Sequence, residues 1–67
     1  MTVIKIIELV GVSKKGLQDA VENAVKEASE TVRNLKGVDI LSWTAKIEGD
    51  KIVEYRANVK ISFVVES

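Results

Sequence analysis

Cysteine and histidine are both missing from this 67-residue chain. Without cysteine there is no disulfide staple, and without either residue the usual zinc ligands are gone. The same absence removes the common nucleophile–base pairs, and no paired-carboxylate spacing takes their place, so the sequence does not read as an enzyme. A domain of this size buries only about 60% of the surface its unfolded chain exposes. Small domains therefore lean on disulfides, a structural metal or oligomerisation. Of these, oligomerisation is the expectation left standing.

Excess charge of one sign is lacking too. Ten basic and ten acidic residues cancel, with a pI near 6.2, and no basic patch of the nucleic-acid type follows from that balance, so no nucleic-acid partner is expected. The apolar opening at residues 1–10 is too short to span a bilayer and carries Lys5 and Glu8. It has neither a basic leader nor a small-residue cleavage site. The expectation is a cytoplasmic protein with no membrane partner. Aromatic residues are scarce, one each of Trp, Tyr and Phe.

What is present is strong patterning, at 46% hydrophobic and 30% charged residues, a composition for a folded chain. In the stretch 53–65, Tyr55, Ala57, Val59, Ile61, Phe63 and Val65 share one parity, while Arg56, Asn58, Lys60 and Ser62 share the other. Such alternation predicts a strand with one apolar and one polar face. Residues 3–10 (VIKIIELV), bounded by Gly11, predict a first strand. Lys5 and Glu8 differ in parity, so neither of its faces is cleanly polar. Ser13 is the candidate N-cap of a helix from about Lys14 to Leu35, with Leu17, Ala20, Val21, Ala24, Val25, Ala28, Val32 and Leu35 along one stripe. The three alanines let that helix lie close on a sheet. Gly37 is the expected stop. Residues 38–47 (VDILSWTAKI) predict another strand, joined to the last by the turn signal Glu48-Gly49-Asp50-Lys51.

The order β-α-β-β points to an α+β fold, one domain over residues 1–67. Its three-stranded antiparallel sheet has order 2-3-1, with the last strand central and a right-handed crossover. One helix cannot cover both faces of this sheet. Val38 and Ile40 fall on one parity, and Leu41, Trp43 and Ile47 on the other, so the edge strands stay apolar on both sides. Exposed apolar edges call for partners.

The run IELVGVS at residues 7–13, the helix ending TVRNL at 31–35 and the last strand beginning EYR at 54–56 together resemble the dodecins, across nearly the whole chain. The resemblance implies a subunit whose sheet wraps one long helix, and twelve subunits closing into a hollow shell. In many members flavins bind in stacked pairs near two-fold axes. It also locates ligand positions. The Trp that stacks on the flavin ring in those members corresponds to Gly37, a Gln at the ring edge to Arg56, and the arginines on the phosphate to Thr44 and Val64. The usual flavin set is thus replaced, and some dodecins without that Trp are associated with calcium.

Two residues stand out as cofactor-binding candidates. Trp43, sharing the parity of Gly37, can supply a new aromatic platform about 20 Å along the strand, or anchor a subunit interface, where Trp is enriched. Arg56, with Lys60 two pleats away, can hold a phosphate or carboxylate, or pair with acids such as Glu8 or Asp39. Lys14 and Lys15 at the helix start oppose its dipole, which a bound anion or plain solvation relieves. The spacing Gly11 to Gly16 matches half a phosphate loop, but Leu17 and Gln18 replace the Lys and Ser/Thr it needs. The resulting expectation is a non-catalytic, homododecameric protein that binds a small ligand or ion. Riboflavin, its mononucleotide FMN and calcium are the candidate ligands, with no metal ligands named. Flavin storage through Trp43 and Arg56, or a purely structural shell, are the alternatives.

Overall fold

The computed structural model describes residues 2–65. Its elements are β1 (Val3–Ser13), α1 (Leu17–Thr31), β2 (Leu35–Glu48) and β3 (Lys51–Val65). β3 lies between β1 and β2 and is antiparallel to both, the expected 2-3-1 order. Its period-2 pattern explains the central place. Ala57, Val59 and Ile61 are buried under the helix, while Arg56, Asn58 and Lys60 point the other way.

The helix is shorter than its apolar periodicity suggests, 15 residues rather than about 22. At its start Gly16, not Ser13, is the N-cap, and it makes no side-chain capping bond. Ser13 instead ends β1 opposite Tyr55. Its hydroxyl accepts from the backbone N–H groups of Lys15 (2.9 Å) and Gly16 (3.4 Å) and donates to the Asp19 carboxylate at 2.6 Å. Asn23 ties the same corner down by donating to the Val12 carbonyl at 3.0 Å. The chain thus needs Lys14–Gly16 to turn from sheet to helix, and both lysines precede the first helical turn. At the far end Val32 is already extended and Asn34 takes a positive φ of 63°. There the Asn34 carbonyl accepts from Val64 N–H at 3.1 Å. Pairing with β3 claims these residues, so Gly37 does not stop the helix; it sits inside β2 opposite Ser62.

Gly11, expected as the end of the first strand, lies within it because α1 crosses there at backbone contact. A Cβ at Gly11 would fall 1.9 Å from the Ala20 carbonyl oxygen and 3.1 Å from Ala24 Cβ. The small stripe Ala20, Ala24 and Ala28 is buried accordingly. With Ala57, Val59 and Ile61 it makes up the whole buried apolar core among the described residues. At the hairpin, Glu48 pairs with Lys51, leaving Gly49 and Asp50 as the loop. Gly49 supplies the positive φ of 66° that a tight hairpin needs at its first turn residue.

The helix covers β1 and β3 but leaves β2 bare. Among the residues of β2 only Leu35 is even half-buried. The molecule is a slab of 52 × 20 × 13 Å.

Candidate functional site

Register decides which side chains share a surface, because residues directly opposite in an antiparallel pair point the same way. The β2–β3 ladder shifts register between Leu35 and Gly37 and again between Ile40 and Ser42. Each bulge inserts one unpaired residue, Lys36 and Leu41, and reverses the facing of the residues beyond it. Gly37 stands opposite Ser62 and Thr44 opposite Arg56, on the face away from the helix. Val38 stands opposite Ile61, Ile40 opposite Val59 and Trp43 opposite Ala57, on the helix side. The plain parity reading placed Trp43 with Gly37 and away from Val38 and Ile40. The bulge at Leu41 overturns this, and Trp43 joins Val38 and Ile40.

Trp43 and Arg56 therefore occupy opposite faces of the same sheet, and one chain does not bring them together. The four positions at which the resemblance locates a ligand, Gly37, Thr44, Arg56 and Val64, do share a face. On that outer face Asn58 donates to Ser42 at 3.0 Å, and the Ser62 hydroxyl donates to the Gly37 carbonyl at 3.4 Å. Arg56 donates from Nε to Glu54 at 2.8 Å, and Lys60 comes within 4.0 Å of Glu8. These exposed pairs neutralise both cations locally. Asp39 is opposite Lys60 without an ion pair to it. A depression of about 330 Å³ lies between the strands at Glu8, Val10, Leu41, Ser42 and Asn58.

No aromatic ring among the described residues reaches this outer face, because Trp43, Tyr55 and Phe63 all belong to the helix-side set. A Cβ at Gly37 would already sit 3.2 Å from Ser62 Oγ. The residues present do not fit a stacked flavin on this surface. Nor do three or more acidic residues gather anywhere among the described residues in a way that could hold a metal ion.

The helix side differs in kind. Beside the α1–β3 contact, Leu17, Val21 and Ile40 line an open apolar cleft of about 520 Å³, with Gln18 and Glu22 at its edge. Those two polar side chains bond each other at 2.9 Å. Trp43 stands nearby on the same face of β2, 60% exposed, and does not line the cleft. Sequence reasoning missed both the cleft and the bulge that turns Trp43 toward its side. Leu41 itself breaks the polar–apolar alternation, but an apolar residue on an edge strand does so for many reasons.

Known proteins give the same architecture. The family model described as Dodecin matches residues 3–66. The chain belongs to the dodecin family. A Thermus thermophilus dodecin is 31% identical over 64 residues, covering 96% of this chain and 93% of its own. A crystal structure of a T. thermophilus protein superposes with a TM-score of 0.95 at 30% identity, covering 100% of this chain and 98% of that one. The calcium-chelating antigen of Mycobacterium tuberculosis, a calcium dodecin, superposes with a TM-score of 0.80 at 26% identity over 91% of this chain and 87% of its own. As a dodecin, the chain is a small-ligand-binding protein by family. No helix in the described residues is long and apolar enough to cross a membrane.

Proposed function

We propose that this dodecin is the subunit of a closed, non-catalytic homo-oligomeric shell, most simply of twelve copies, that holds a small ligand or ion. The observation carrying this reading is surplus surface. The chain exposes 5113 Å², whereas a folded monomer of 7.4 kDa follows the size relation to roughly 4,200 Å². The difference, about 900 Å², is close to the roughly 800 Å² each partner contributes to a standard interface. The excess is apolar in character: Ile4, Ile6, Val10 and Val12 line the outer side of β1, and Val38, Ile40 and Trp43 the helix side of β2, all exposed. Strips on both edges and both faces suit contacts with several neighbours rather than one.

The ligand is not a flavin stacked as the family resemblance implies, since Gly37, Thr44 and Val64 leave the outer face without its ring and its arginines. An ion is the better candidate. One relative is a calcium dodecin, and carboxylates such as Asp39 and Glu8 on exposed outer positions can combine between copies around a symmetry axis. A second reading keeps riboflavin or FMN, stacked on Trp43, the one large exposed ring among the described residues, with Arg56 supplied by another copy.

Native mass spectrometry of the purified protein tests the assembly. The expected mass is about twelve times 7.4 kDa, and a monomer at micromolar concentration would refute the reading. Thermal unfolding with calcium, magnesium, riboflavin and FMN then names the ligand class, because whatever binds the folded state raises Tm. An unchanged Tm with all four leaves a purely structural shell.

A further inference from the structure

We infer that Trp43 of one copy seats in the cleft formed by Leu17, Val21 and Ile40 of a neighbouring copy. The inference rests on the homo-oligomeric reading and names the contact that builds it. The cleft and the indole have the properties of a hole and its knob. The cleft is apolar, open and, at about 520 Å³, roomy enough for an indole ring with its neighbours. It is bounded by α1 on one side and by the bare surface of β2 on the other. Trp43 projects from that same surface with 60% of its area exposed, yet its own cleft does not include it.

The reason lies in the Leu41 bulge. With regular pairing Trp43 would face the polar outer surface of the sheet. One inserted residue turns it to the helix side, where the slab offers unpartnered Leu17, Val21 and Ile40. The occupant must be apolar, because burying a polar group against these walls leaves it without a hydrogen-bond partner. It must also be present wherever the chain is, since the surplus of about 900 Å² belongs to every copy. A second copy satisfies both. Gln18 and Glu22, bonded to each other at the edge, leave a wet rim where the indole N–H can find an acceptor, the arrangement of an interfacial Trp with one apolar and one polar end. A flavin stacked on Trp43 would compete for the same ring.

Trp43 is the only Trp, so its emission reports this contact without a background. In the assembled protein the expected result is a blue-shifted emission maximum and acrylamide quenching several-fold weaker than that of free tryptophan amide. Val21→Asn, which places a polar amide on the cleft wall, is expected to red-shift the emission and raise the quenching at concentrations where the variant still assembles, or to abolish assembly. Lys26→Asn, an exposed helix position away from the cleft, is expected to change neither. An assembled wild-type protein whose Trp43 is quenched as readily as the free amide overturns the inference, as does a Val21→Asn assembly with unaltered emission. A wild-type protein that is monomeric by native mass spectrometry overturns the oligomeric reading itself, a distinguishable failure.

Discussion

Replacing Gly11 with alanine is the sharpest perturbation available. The added Cβ would lie 1.9 Å from the Ala20 carbonyl oxygen, 2.8 Å from its carbon and 3.1 Å from Ala24 Cβ. The two nearest obstacles are backbone atoms, so no side-chain rotation relieves them. To restore ordinary contact the helix must lift away from β1. That movement opens the joint that buries Ala20, Ala24 and Ala28 and lengthens the Asn23 bond to the Val12 carbonyl from its 3.0 Å. Overpacking typically costs about 1–3 kcal/mol, and a backbone obstacle places Gly11→Ala at or above the top of that range, about 3 kcal/mol. This is a large share of the roughly 5–15 kcal/mol a domain possesses. The built-in control is Gly16→Ala, where an added Cβ meets nothing within 4 Å and φ is an extended 168°. It is expected to cost at most about 1 kcal/mol, the penalty of alanine at an N-cap. Urea unfolding followed by circular dichroism, at equal protomer concentrations because any assembly would add to apparent stability, compares the three proteins. Equal midpoints for Gly11→Ala and Gly16→Ala would refute the close approach.

Ile61→Ala empties the centre of the core, where Ile61 is 1% exposed, and is expected to cost about 2–5 kcal/mol in the same assay. Ser13→Ala removes one acceptor for two backbone N–H groups and one donor to Asp19. A loss of about 1 kcal/mol is expected, recovered by Ser13→Thr; no loss would mean the corner is held by packing alone. Ile6→Ala separates covered from bare surface. Ile6 is 58% exposed in the single chain, so a cost above about 1 kcal/mol requires a neighbour's cover, and a neutral result leaves it in solvent. Gly37→Trp meets only the Ser62 hydroxyl, 3.2 Å from the new Cβ, the end of a side chain that can rotate. It is expected to add an aromatic ring to the outer face and to quench riboflavin fluorescence more strongly than the parent protein does; equal quenching by the two would refute this.

Periodicity by itself determined a great deal here. The alternation around Val59 and Ile61 named the central strand and its buried side. The spacing of Ala20, Ala24 and Ala28 named the helix face. These are one-dimensional signals, because a strand repeats every two residues and a helix every 3.6. What the sequence left undetermined was settled by contacts between distant segments. The helix gave up residues at both ends, to the Ser13 corner and to pairing of Asn34 with Val64, since tertiary bonds outweigh the weak preference of a terminal turn. Gly11 looked like punctuation and proved to be the point where two backbones touch. Trp43 and Arg56, read as one candidate site, were parted to opposite faces by a single unpaired residue at Leu41. A bulge is defined by pairing with the partner strand, two residues against one, and the apolar Leu41 on an edge strand does not by itself announce that pairing.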